Sequence, residues 1–219
     1  MATDLFAQQR IAMVDGQLRT NKITNDALLN LFLRAPRELF APPALRNSAY
    51  VDEELALGHG RFLLEPLVVA RLLQAAENLP DASVLVLAAA NGYLPRLLCE
   101  LGARVTAVEP VGALAQAGKA AVPEATWMVQ PMTALPAGPF DYIFVGGALP
   151  HIPPAWAKAL ADGGQILCPL LGERGNDGRL VQAYKTVAAK ATASLSQRTL
   201  ANAAVPGLPE FTLPPVFKL

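Results

Sequence analysis

Hydrophobic and polar positions change rhythm along this chain. In residues 4–19, Leu5, Ile11, Met13 and Leu18 recur at a loose helical spacing, which predicts a helix. Thr24 or Asn25 can cap a second helix over 26–34, where Leu28, Leu29, Leu31, Phe32 and Leu33 crowd together. Pro36, Pro42 and Pro43 interrupt the pattern, and the Gly-containing stretch 44–65 reads as loop. Pro66 suits the first turn of a helix running to about Asn78. From Ser83 the rhythm becomes short apolar runs alternating with helical ones. Strands are expected at 83–88, 104–109, 125–129, 141–146 and 164–170, and helices at 92–101, 111–120 and 153–161. This alternation predicts an α/β fold with a parallel sheet covered on both faces. Residues 180–188 and 192–201 read as two further strands, an antiparallel pair closing the sheet edge.

The tail 205–219 breaks the alternation. Pro206, Pro209, Pro214 and Pro215 exclude a helix, while Leu208, Phe211, Leu213, Val216 and Phe217 supply apolar surface. A free terminus is usually more polar, so the tail is expected to dock on the domain or on a partner chain. The expected organisation is a helical extension and loop region over 1–80, a Rossmann-like unit over 81–204, and the tail.

Composition narrows the function. The 219 residues are 53% hydrophobic and 16% charged, enough for a large core and for some apolar surface left to a protein or peptide partner or a second copy. The formal net charge of 0 argues against a nucleic-acid backbone as main ligand. Cys99 and Cys168, far apart in apolar surroundings, read as reduced core thiols. With His59 and His151 they give no metal-ligand spacing. No apolar run reaches the roughly 18 residues of a membrane span. No signal-type segment opens the chain, so a cytoplasmic location is expected.

The candidate chemistry centres on residues 84–93, Val84-Leu85-Val86-Leu87-Ala88-Ala89-Ala90-Asn91-Gly92-Tyr93. An apolar strand enters a small-residue turn and leaves as a helix, the layout of a nucleotide-binding first loop. Ala88 and Ala90 stand where glycine would let the backbone approach a ligand, and each adds a Cβ that disfavours positive φ. Glu109 ends the second strand about twenty residues on, where an acid can accept from both ribose hydroxyls. Asp141 reads as a strand-start residue bonding backbone amides. Gly146-Gly147 can admit a substrate to the sheet edge or simply turn. In Gly58-His59-Gly60-Arg61, either His59 or Arg61 could meet a carboxylate.

These residues, with others spread along the chain, resemble the protein-L-isoaspartate O-methyltransferases. The resemblance rests on Met13-Val14 with Gln17-Leu18, Pro36-Arg37-Glu38-Leu39-Phe40, Ala49-Tyr50-Val51-Asp52, and Gly58-His59-Gly60 with Pro66. It continues through Val84-Leu85, Gly92-Tyr93, Glu109, Phe140-Asp141, Ile152-Pro153 and Gly163-Gly164 before Cys168-Pro169. It is similar to a divergent branch common in alphaproteobacteria, whose loop reads as Arg61-Phe62-Leu63-Leu64-Glu65-Pro66 does here. The resemblance implies a seven-stranded class I methyltransferase fold and S-adenosylmethionine as cofactor. It implies methyl esterification of the isoaspartyl α-carboxylate as the reaction. The cofactor positions it implies are Ala88, Ala90, Asn91, Gly92, Tyr93, Glu109 and Gln130.

The departures bear on activity. Phe62 and Leu64 replace the Thr and Ser of the family's Thr-Ile-Ser-Gln-Pro substrate loop, so no catalytic residue is assigned there. Val86, Ala88 and Ala90 replace an acid and two glycines, and Val129-Gln130-Pro131 lacks the acid that meets the adenine amine. Each lost hydrogen bond to a charged group costs roughly 1.5–3 kcal/mol, so two weaken binding by roughly 2–4 orders of magnitude. Two readings stay open: a working methyltransferase with altered substrate, and a non-catalytic binding or scaffold protein.

Overall fold

The computed structural model describes residues 5–172, 177–187 and 193–211. Helix α1, Leu5–Met13, runs on as a π-helical stretch, Val14–Arg19. Helix α2, Asp26–Arg34, is capped by Asn25, whose Oδ1 accepts from the Leu28 amide at 3.1 Å. Its buried face is Leu28, Leu29, Leu31 and Phe32.

The stretch expected as loop is more ordered than its sequence suggests. It holds a 3-10 turn, Pro43–Ser48, and a hairpin of β1, Leu55–Gly58, and β2, Arg61–Leu63. These strands are too short for a period-2 pattern to register. The turn uses three consecutive positive φ values, +85° at Gly58, +54° at His59 and +68° at Gly60. Helix α3, Pro66–Ala75, places proline at its first position, where no intrahelical donor is lost.

The large sheet contains β3 (Ser83–Leu87), β4 (Arg104–Val108), β5 (Thr126–Met128), β6 (Phe140–Val145), β7 (Leu160–Leu170), β8 (Arg179–Val187) and β9 (Ala193–Asn202). Its order is β5-β4-β3-β6-β7-β8-β9. Strands β5 to β7 are parallel, and β8 and β9 add antiparallel, closing the edge as the sequence predicts. Helices α4, Tyr93–Glu100, and α5, Gly112–Ala121, make the first two crossovers. The helix expected over 153–161 is instead a 3-10 turn, Pro154–Ala159, and β7 starts four residues before the expected 164. Pro153-Pro154 leaves too few residues before the strand for a stable α-helix.

Alternation along β3 feeds two core layers. Val84 and Val86 pack with the N-terminal helices, in a cluster reaching from Met13 to Val205. Leu85 and Leu87 pack on the other face with Ile143, Val145, Trp156 and Leu208. Asp141 does bond a backbone amide, the Ser83 N–H at 2.8 Å, tying together the starts of β3 and β6. Cys99 and Cys168 are free, and burial raises both thiols, Cys99 to about 11, so both stay protonated at neutral pH. Among the described residues no helix is long and apolar enough to cross a membrane.

Candidate functional site

Strand order reverses between β3 and β6, so the crevice outside their carboxyl ends is where an open α/β sheet binds ligands. The loop after β3 forms one wall. Ala88 and Ala90 take φ of +52° and +49°, the left-handed region that glycine would occupy without strain. The loop pays this cost and keeps the glycine-type backbone shape, with a methyl group on each turn residue. Gly146, on the other wall, approaches so closely that a Cβ there would lie 2.3 Å from the Ala88 carbonyl oxygen. Close approach, rather than simple turning, explains that glycine.

Glu109 directly follows the carboxyl end of β4 and is fully buried. The Ala90 and Val111 amides each donate to it at 2.9 Å, one to each oxygen. The Arg61 Nε spans both oxygens, at 3.2 Å from Oε1 and 3.0 Å from Oε2. Each carboxylate oxygen therefore accepts two bonds, which fills its ordinary capacity. The far side of the same guanidinium meets a third residue. Nη1 donates to Glu210 Oε2 at 3.2 Å and Nη2 to Glu210 Oε1 at 2.6 Å. The Arg61 side chain is 0% exposed and that of Glu210 33%. Burial alone would lower the Arg61 pKa, but the bonds to Glu210 and Glu109 outweigh it and raise the value. For Glu210, burial pushes upward, and the Arg61 bonds and charge, helped by a backbone bond, bring it below the usual carboxylate range.

The tail brings Glu210 there. The Ala148 amide donates to the Pro206 carbonyl and the Leu208 amide to the Ala148 carbonyl, each at 2.9 Å. Leu208 fills the space above Gly147, where a Cβ would meet Leu208 Cδ2 at 2.6 Å. Phe211 stands edge-on to Trp156 with ring centroids 5.9 Å apart. The expected docking of the tail thus holds through residue 211; Leu213, Val216 and Phe217 lie outside the described residues.

The other predicted positions divide between two environments. Asn91 Nδ2 donates to the Phe40 carbonyl at 2.6 Å. Tyr93 packs on Phe40 and under Arg37, whose guanidinium carbon lies 5.1 Å from the ring centre. Burial pushes the Tyr93 hydroxyl up to about 12 despite the neighbouring Arg37 charge. Both residues therefore brace the N-terminal segment. Gly92, at φ +102°, opens α4 against Gly118 and Trp127. Gln130 donates to the Ala134 carbonyl of its own loop. Leu64 is buried, Phe62 half-buried, and both belong to the N-terminal core. Arg37 ties the end of this stretch to residue 49, donating to the Leu64 carbonyl at 2.6 Å and the Ala49 carbonyl at 2.6 Å. Among the described residues no group of acidic, histidine and cysteine side chains could hold a metal ion. Sequence reasoning singled out Arg61 and Glu109 separately. It missed Glu210, whose partner is 149 residues away.

A seven-stranded sheet with a crevice at this reversal defines the protein as a class I methyltransferase-type α/β fold. A Plasmodium falciparum structure, assigned as a protein-L-isoaspartate O-methyltransferase and complexed with S-adenosyl-L-homocysteine, shares that fold with a TM-score of 0.75. It is 17% identical, and the match covers 95% of this chain and 100% of that one. The model of the protein-L-isoaspartate(D-aspartate) O-methyltransferase family matches residues 8–204, and the chain belongs to that family. Protein-L-isoaspartate O-methyltransferase 1 of Rhodopseudomonas palustris is 32% identical over 83% of this chain and 76% of its own length. The protein-L-isoaspartate O-methyltransferase of Aeropyrum pernix is 34% identical over 76% of this chain and 68% of its own.

Proposed function

We propose that this family member is catalytically silent in the closed state described and acts there as a binding protein on a methyltransferase frame, in the cytoplasm. One observation carries the reading: Arg61 occupies the carboxylate, Glu109, that would receive the ribose of S-adenosylmethionine. In this conformation both Glu109 oxygens are filled from within the chain, so the ribose of that cofactor would reach them only after Arg61 moves away. Val86, fully buried in apolar surroundings, offers no counter-charge for the cofactor's amine. Phe62 and Leu64 offer no hydroxyl to orient an acceptor carboxylate.

A second reading is the family reaction itself, S-adenosylmethionine-dependent carboxyl methylation of isoaspartyl protein. Family membership and the placement of Glu109 at the end of β4 support it; it requires Arg61 to leave Glu109 first. Incubation with S-adenosylmethionine and an isoaspartyl peptide separates the two. The first reading expects no methyl ester above an enzyme-free control. Ester formation that scales with protein concentration sinks it.

A further inference from the structure

Residues 205–211 do more than finish the fold. They lie across the carboxyl edge of the sheet, and their one acidic side chain ends on the cation that fills Glu109. The opposing wall is the β1–β2 turn, where a Cβ on Gly60 would sit 2.3 Å from Pro209 Cγ. Hairpin and tail therefore close on each other, with Arg61 clamped between two carboxylates. The two halves of the clamp differ. Glu109 is buried and held by backbone amides, whereas Glu210 is a third exposed and sits on a single 3-10 turn, Pro209–Phe211. Charge differs as well. Removing Glu210 leaves one buried cation facing one buried anion, a balanced pair. Removing Arg61 strands a buried carboxylate, which is far more costly. The pair that can open is thus Arg61–Glu210.

We propose that Glu210 on Arg61 is an intrasteric latch: it holds the 205–211 segment over the crevice, and its release is the step that must precede any ligand reaching Glu109. The inference rests on the closed-site reading above, but a different measurement decides it. The segment is held by the Ala148 bonds, Leu208 over Gly147, Pro209 on Gly60, Phe211 on Trp156, and the latch. Of these contacts the latch is the ionic one, and a bidentate charge-assisted pair with one partly exposed partner is open to competition by salt.

Amide hydrogen exchange on the full chain tests this. Glu210→Gln should speed exchange at Leu208 and Phe211 about 10-fold while leaving the central-strand amide of Val86 unchanged, which shows that the variant is folded. Raising the wild-type protein to 1 M sodium chloride should shift the same two amides in the same direction. Exchange at Leu208 and Phe211 that is equal in Glu210→Gln and wild type overturns the latch. So does saturation of the wild-type protein with S-adenosylhomocysteine while those amides keep full protection, since ligand and closed segment would then coexist. Methyl ester formation bears only on the closed-site reading, so the two can fail separately.

Discussion

Gly60 and Pro209 touch backbone to ring: an ideal Cβ on Gly60 would lie 2.3 Å from Pro209 Cγ and 2.9 Å from its Cδ. The hairpin that carries Arg61 and the tail that carries Glu210 meet at this point. Gly60 also has φ of +68°, a conformation that side chains disfavour. Gly60→Ala should therefore combine backbone strain with a clash against a rigid ring. The expected cost is roughly 2–4 kcal/mol of stability, or local undocking of the tail in exchange for it. Denaturant unfolding with Trp fluorescence reports both, because Trp156 loses Phe211 on undocking. An unchanged midpoint and an unchanged spectrum would show that the contact is slack.

Arg37 is fully buried and donates to the Ala49, Leu63 and Leu64 carbonyls. Arg37→Leu strips the donors from three buried acceptors and removes the cation that lies over the Tyr93 ring. Breaking such a buried charged network typically costs about 3–5 kcal/mol. The loss should appear as a large fall in melting temperature. A loss under about 1 kcal/mol would mean that water or backbone readjustment satisfies those carbonyls.

Docking of the tail should depend on acid pH. The Glu210 carboxyl is held below its ordinary value of 4.5 by its bonds and attraction to Arg61, against the opposing effect of burial. A depressed folded value means that the stabilisation is complete above the unfolded value and fades as pH falls through the folded one. Exchange at Leu208 and Phe211 should thus be flat from pH 7 to about 5, once corrected for intrinsic rate. It should accelerate below the ordinary carboxyl range, and Glu210→Gln should remove that acid step. An acid step of equal size in Glu210→Gln would assign it to another group.

On the closed-site reading the alanine methyl groups and the Arg61 guanidinium are two barriers to a nucleoside, and they can be separated. Ala88→Gly with Ala90→Gly should leave affinity for S-adenosylhomocysteine within about 3-fold of wild type while Arg61 stays on Glu109. Adding Arg61→Gln to that pair should strengthen binding at least 10-fold, the scale of one charged hydrogen bond. Calorimetry measures both steps. A large gain from the glycines alone would make the methyl groups, not the guanidinium, the barrier.

Much of this protein was legible in its sequence because the signals are local. Apolar runs of strand length separated by helical ones give the parallel core, Thr24 or Asn25 and Pro66 mark helix starts, and the glycine-depleted 88–92 loop marks the ligand-binding edge of the sheet. Periodicity was silent where elements are short. The β1–β2 hairpin reads as loop in the sequence, and the 3-10 turn Pro154–Ala159 as helix, because a few residues cannot display a period. The sequence also determined that Glu109 would end a central strand and that Arg61 could meet a carboxylate. Only the tertiary structure decided that they meet each other, and that Glu210 joins them across 149 residues. Such a pairing depends on where a hairpin and a tail come to rest in space. Spacing along the chain carries no record of that, since side chains are matched through the fold rather than through their neighbours.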